Sequence, residues 1–254
     1  MNYYGISDKG TIRDENQDCC AACKIAENAH LFIVCDGMGG ISGGKIASTT
    51  VCTEFEAQMR LRLSRFKGDS LPKRAHKDIP RYLEDSLSHA NKVLHNMAAN
   101  DSDHRGMGTT LVALFVIDNK GYVINVGDSR AYFYSGGSFL QITKDHSYVQ
   151  FLVDSGKISE DEAEHHPQKN VITRSVGVKD NVEPDMFEFE FVDGDCILLC
   201  TDGLSGFVDT DRMLRCFEKF NDIEARVKYL VDLAKKNNSS DNITALIVEN
   251  GKGE

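Results

Sequence analysis

Strand-like runs along this chain come in groups and helix-like stretches come in pairs, without β-α-β alternation. That order points to an α+β protein in which antiparallel sheets are covered by helix pairs. Residues 2–8 and 19–26 read as strands, and Leu31-Phe32-Ile33-Val34-Cys35 as a short, wholly apolar one. It runs into Asp36-Gly37-Met38-Gly39-Gly40, a turn that depends on its glycines. Helices are expected over about 44–63 and 80–100, with a polar, basic surface loop at 66–77 between them. Three closely spaced strands follow at 111–117, 122–126 and 131–134, with tight turns at Asn119-Lys120-Gly121 and Gly127-Asp128. Such spacing predicts an antiparallel meander. Residues 144–175 break the rhythm with short helical stretches at about 147–155 and 159–165, then His166-Pro167, and read as an insertion lying over the sheet. Strands at 186–191 and 196–201, helices near 209–219 and 222–237, and a strand at 242–248 follow.

No repeat, low-complexity tract or linker divides the 254 residues, so one domain, 1–254, is expected. A formal charge of −10 argues against a general nucleic-acid binder, which would carry a basic patch. No apolar run approaches the roughly 18 residues of a membrane span. The opening Met1-Asn2-Tyr3-Tyr4-Gly5 has neither a basic nor an apolar leader region. A cytoplasmic monomer with no nucleic-acid or membrane partner is the expectation. The eight cysteines then read as reduced thiols. Cys19, Cys20 and Cys23 lie close together, but no second pair at zinc spacing follows, and no cysteine has an arginine six positions on.

Five aspartates stand at strand ends or in tight turns: Asp18, Asp36, Asp128, Asp202 and Asp241. One such residue alone is ordinarily a turn former with a self-bonded side chain. Several at the mouths of core strands would repel one another unless cations neutralised them, and an oxygen-only set suits Mg²⁺ or Mn²⁺. The motifs Arg13-x-x-Asn16-Gln17-Asp18, Asp36-Gly37-Met38-Gly39-Gly40, Gly108-Thr109-Thr110, Gly127-Asp128-Ser129-Arg130, Thr201-Asp202-Gly203 and Asp241-Asn242 follow one another in that order. In that order the chain resembles the metal-dependent PPM (protein phosphatase 2C) serine/threonine phosphatases of bacterial type. The resemblance implies a four-layer α-β-β-α sandwich, two antiparallel sheets flanked by helix pairs, with a flap subdomain at about 147–172.

The resemblance also implies roles. Asp36 would bridge two Mn²⁺ or Mg²⁺ ions, and the Gly37 carbonyl would contribute to one of them. Asp202 and Asp241 would hold the first ion with Asp36, and Asp18 would serve the second largely through water. Asp128 with Asp202 would match a weaker third site. Arg13 would bind the substrate phosphate, for which a planar guanidinium is suited. Catalysis would rest on Arg13, Asp36 and Asp202, with a metal-bridged water attacking phosphoserine or phosphothreonine directly. A Hanks-type kinase and its targets would be the partners. Met38 stands where eukaryotic members carry a histidine, so the general acid is open between a metal-bound water and His146.

Other fragments carry less. Gly39 to Lys45 matches the start of a Walker A loop, but Ile46 stands where a hydroxyl should meet Mg²⁺, which disfavours a nucleotide binder. Gly127-Asp128-Ser129 has no persuasive esterase partners, and Asp101-Ser102-Asp103 lacks a preceding apolar strand. His165 and His166 read as exposed flap residues, and Lys67, Lys73, Arg74 and Lys77 as a solvated loop. A catalytically weak, PPM-like regulatory binding domain is the rival from another class; it would be expected to have lost metal aspartates.

Overall fold

The computed structural model describes residues 1–251, the side chains of Ile41, Ser42 and Ser102 excepted; the last three residues of the expected domain lie outside it. The elements in order are β1 (Asn2–Asp8), β2 (Asp18–Ala26), β3 (Ala29–Met38), α1 (Gly40–Leu63), α2 (Ile79–Asn100), β4 (Gly108–Thr109), β5 (Leu111–Ile117), β6 (Lys120–Val126), β7 (Arg130–Ser135) and β8 (Ser138–Gln141). There follow α3 (Tyr148–Asp154), α4 (Glu160–Glu164), β9 (Asp185–Glu190), β10 (Cys196–Cys200), α5 (Asp202–Ser205), α6 (Thr210–Lys219), α7 (Ile223–Lys236) and β11 (Ile243–Glu249).

Two antiparallel sheets form, in strand order β1-β11-β10-β7-β8 and β2-β3-β5-β6-β9, with β4 paired to the end of β3. Three apolar layers hold them. Leu31, Ile33, Cys35, Leu111, Ala113 and Phe115 pack against α1 and α2, while Phe32, Val34, Val112 and Leu114 on the same strands meet the other sheet. Ile197 and Leu199 answer them from β10, whose Cys196, Leu198 and Cys200 turn outward onto α6 and α7. A strand covered on both faces has no solvent side to pattern, which is why these runs are apolar throughout. The architecture is the expected α-β-β-α sandwich.

Three local expectations need correction. The strands at 111–117, 122–126 and 131–134 do not form one meander: β5 pairs with β6, but β7 pairs with β10 and β8 in the other sheet. The chain crosses between sheets at Gly127-Asp128-Ser129, where Gly127 has φ 109°. Asp36 to Met38 remain strand rather than turn, because β4 adds backbone partners there, Gly37 opposite Thr109 and Met38 opposite Gly108. The loop at 66–77 is exposed at Lys67, Lys73, Arg74 and Lys77 but buries Leu71 and Ala75, and its last part winds into a 3₁₀ turn.

Candidate active site

One end of the sandwich gathers the candidate residues. Asp18 opens β2 and lies directly across from Asp36 on β3. The Asp36 carbonyl accepts from the Thr110 N–H at 2.9 Å and the Thr109 hydroxyl at 2.8 Å, and its N–H donates to Thr110 Oγ1 at 2.9 Å. Since the Asp36 backbone groups point away from β2, Asp18 and Asp36 form a non-hydrogen-bonded pair, the arrangement that brings cross-strand side chains closest. Alternation turns both carboxylates toward the other sheet.

That sheet answers with its own residues. Thr201 and Thr244 donate their hydroxyls to Asp18 Oδ2 at 2.9 and 2.7 Å. Asp202 begins α5 directly after Thr201 and reaches the Asp36 carboxyl, while Asp241 directly precedes Asn242 and β11. Glycine permits the approach of these segments: a Cβ on Gly203 would sit 1.9 Å from the Asn242 carbonyl, and one on Gly37 would sit 1.9 Å from that of Gly44. Asp128 arrives on the crossing between sheets. Thus Asp18, Asp36, Asp128, Asp202 and Asp241 come together, with the Gly37 backbone beside them. Arg13 lies on the loop before β2, its Nη2 donating to Asp241 Oδ2 at 2.7 Å, and is half exposed over the edge.

Crowding leaves an electrostatic mark. Burial pushes the Asp18 carboxyl up to about 7 against its two threonine donors, with Asp202 and Asp241 adding repulsion. Burial and the charge of Asp202 push Asp128 up to about 8. Asp36 is driven well above the usual carboxylate range by burial and then by Asp18 and Asp202; Asp202 is raised by burial and by Asp241. Arg13 is held protonated by its bond to Asp241 and by the fields of Asp36 and Asp202. Buried carboxylates so arranged are stable as anions only beside positive charge.

Divalent cations fit this donor set. Asp18 Oδ1 and Asp202 Oδ1 are buried without any hydrogen-bond partner, although carboxylate oxygens in such positions require one. All the side-chain donors are hard oxygens, as Mg²⁺ and Mn²⁺ prefer. Among the described residues no three His, Cys, Asp or Glu side chains enclose a single ion. The carboxylates instead face one another in pairs, Asp18 with Asp36 and Asp36 with Asp202, an arrangement open to ions that keep several water ligands.

The supporting roles of Asn242 and Arg130 were not read from the sequence, and His146, a candidate general acid there, takes a supporting place as well. Asn242 accepts from the Gln17 N–H at 2.8 Å and donates to the carbonyls of Lys9 and Glu15, which fixes the loop carrying Arg13. Arg130 grips Asp145 through Nε and Nη2, with its shortest contact 2.7 Å, and braces the Asp128 turn. His146 is buried and its backbone N–H bonds the Gly127 carbonyl at 2.9 Å, while its Nδ1 accepts from the Gly127 N–H at 3.1 Å. Its Nε2 lies 3.1 Å from Arg174 Nη1 and 3.3 Å from Asp185, so both ring nitrogens are engaged and this histidine is committed to holding the turn. Gly39 to Lys45 form the entry to α1, packed through Gly44 onto Gly37, and make no phosphate loop.

A family model described as Protein phosphatase 2C matches residues 12–236. The serine/threonine phosphatase stp of Listeria monocytogenes is 34% identical over 243 residues, covering 96% of this chain and 93% of that protein. The crystal structure of the serine/threonine phosphatase Stp1 from Staphylococcus aureus superposes with a TM-score of 0.86 at 34% identity, covering 97% of this chain and 94% of that one. The catalytic domain of the serine threonine protein phosphatase PstP, solved in complex with two manganese ions, superposes with a TM-score of 0.82 at 30% identity, covering 98% and 97%.

Proposed function

Because this chain belongs to the protein phosphatase 2C family, we propose that the carboxylate edge described above is where it dephosphorylates proteins. The protein is a serine/threonine protein phosphatase dependent on a divalent metal. In our reading Mn²⁺ or Mg²⁺ would be held there, two ions in all, by Asp36 and the Gly37 carbonyl. Asp202 and Asp241 would hold the first with Asp36, Asp18 would serve the second, and Asp128 with Asp202 would hold a weaker third.

Bound there, the cations supply an acidified water and charge neutralisation for in-line displacement at phosphorus. The chain's own residues do the rest. Arg13 leaves Asp241 for the substrate phosphate, whose two oxygens match its fork. Thr201 and Thr244 keep Asp18 turned inward, and Arg130 and His146 hold the Asp128 turn. Met38 has no proton to give and His146 is engaged, so of the two candidates for the general acid a metal-bound water would remain. Water enters, the phosphorus–oxygen ester bond breaks, and alcohol and inorganic phosphate leave.

The observation that carries this assignment is the pair of buried, unpartnered oxygens on Asp18 and Asp202 within the repelling cluster. We further read residues 1–254 as one catalytic domain with about 147–172 as a flap, acting as a cytoplasmic monomer that reverses a Hanks-type kinase. Among the described residues no helix is long and apolar enough to cross a membrane. Hydrolysis of p-nitrophenyl phosphate with Mn²⁺ or with EDTA tests the site: turnover should require Mn²⁺, and equal rates in EDTA would remove the metal role.

A further inference from the structure

The pairing that opposes Asp18 to Asp36 also opposes Cys19 to Cys35 one residue along, and alternation turns these thiols to the other face, toward α1. Cys52 of α1 is buried in the same apolar layer. The Cys19 thiol is a near neighbour of the Cys52 thiol and of Thr49 in this layer. All three cysteines are free, Cys19 half-buried and the other two buried. Among the described residues they do not enclose an ion with any third ligand. A thiol partly open to solvent, backed by a shielded thiol, is the arrangement of a peroxide-reactive cysteine with its resolving partner.

We propose that Cys19 and Cys52 form an oxidation site at which a hydroperoxide closes a disulfide and weakens metal binding on the opposite face of β2. The Cys19 sulfur attacks one peroxide oxygen, the O–O bond breaks, and a sulfenic acid and one water result. The Cys52 sulfur then displaces the hydroxyl, which leaves as a second water with the Cys52 proton. Two thiols and one hydrogen peroxide become one disulfide and two waters, each sulfur oxidised by one electron.

Cys52 is the partner rather than Cys35. Asp18 and Asp36 are a non-hydrogen-bonded pair, so Cys19 and Cys35 are a hydrogen-bonded one, with Cα atoms about 5.5 Å apart and locked in the ladder. Closing an S–S bond of about 2.05 Å there would twist the pleat, whereas a helix can settle onto a sheet. The consequence falls on the next residue. Asp18 is held by Thr201 and Thr244 of the other sheet, and drawing Cys19 toward α1 pulls Asp18 away from both hydroxyls.

The full-length protein in Mg²⁺ buffer is exposed to hydrogen peroxide, quenched with catalase, then analysed by intact mass, disulfide mapping and a Mg²⁺ titration of p-nitrophenyl phosphate turnover. Wild type should lose two hydrogens in mass and yield a Cys19–Cys52 cross-link. Its Mg²⁺ requirement should rise about tenfold, the scale on which partners behind metal ligands act. Dithiothreitol should reverse both changes. Cys52→Ala, or Cys52→Ser should alanine fold poorly, should keep basal turnover, form no link and retain its Mg²⁺ requirement after oxidation; Cys35→Ala should behave as wild type. A link to Cys35, no link at all, or a Cys19–Cys52 link with an unchanged Mg²⁺ requirement would overturn the proposal. The mapping does not depend on phosphatase activity, so the two readings fail separately.

Discussion

Asp18 shows how a single carboxylate is prepared for its work. Its Oδ2 takes two hydroxyl donors, and hydrogen bonds to a charged group contribute about 1.5–3 kcal/mol. Removing either donor leaves a buried anion poorly supported. Thr244→Val and Thr201→Val should therefore raise the Mn²⁺ concentration for half-maximal turnover about tenfold, with a smaller change in kcat at saturation. A Mn²⁺ titration that matches wild type would show that the hydroxyls do not position Asp18. Arg13→Ala should raise KM for a phosphopeptide more than it lowers kcat, and Arg13→Lys should recover only part of the loss. An unchanged KM would put Arg13 outside the phosphate site. The aspartates were legible because each stands in a short motif beside a core strand. Thr201 and Thr244 were not, since their partner lies 183 and 226 residues away and only the pairing of sheets brings them to it.

Among the elements, the segment 147–172 is the least anchored. Its base is a short ladder in which Tyr148 donates to the Val171 carbonyl at 2.8 Å and Thr173 to that of His146 at 2.7 Å. Beyond it α3 buries Leu152 and α4 buries nothing. Segments with so few buried contacts open at low free-energy cost. Read as a flap, this segment touches large substrates and not small ones. Val149→Ala or Gln150→Ala should shift phosphoprotein turnover several-fold while leaving p-nitrophenyl phosphate turnover nearly unchanged. Equal losses on both substrates would mean that the segment supports the Asp128 turn instead, to which His146 ties its base. Most strands and helices could be read from the sequence, because apolar runs and helical stretches are local. The sheet to which β7 belongs could not be read, because its partner β10 comes some sixty residues later and Gly127 makes the crossing. α5 went unseen for a simpler reason: its four residues are too few to show a helical period.

At the scale of the whole molecule, the two sheets are held together by apolar layers but end in a cluster of like charges. Asp18 and Asp128 are raised to about 7 and about 8 in the folded protein from 3.8. A carboxyl raised on folding binds its proton more tightly in the native state, so its contribution is present at low pH and lost as pH rises through the folded value. The EDTA-treated protein should therefore lose thermal stability progressively from about pH 4 to about pH 8, while Mg²⁺ or Mn²⁺ should restore most in the upper part of that window. A Tm difference between metal and EDTA that does not grow with pH would contradict the electrostatic account. The order of the elements pointed to antiparallel sheets covered by helix pairs, and the resemblance to the four-layer sandwich. Repulsion among the aspartates was expected from their place at strand mouths, while its weight on Asp18 and Asp128 follows from their burial.

The central claim is that the carboxylate edge holds the cations that drive phosphate release. The most direct test measures phosphate release from a phosphothreonine peptide against Mn²⁺ concentration for wild type, Asp36→Asn and Asp202→Asn, with circular dichroism to verify the fold. Each variant removes a charge the cations need and relieves repulsion in their absence, so the fold should persist while turnover falls at least about 100-fold at limiting Mn²⁺. A folded Asp36→Asn or Asp202→Asn protein with near-wild-type turnover at limiting Mn²⁺ would contradict the claim.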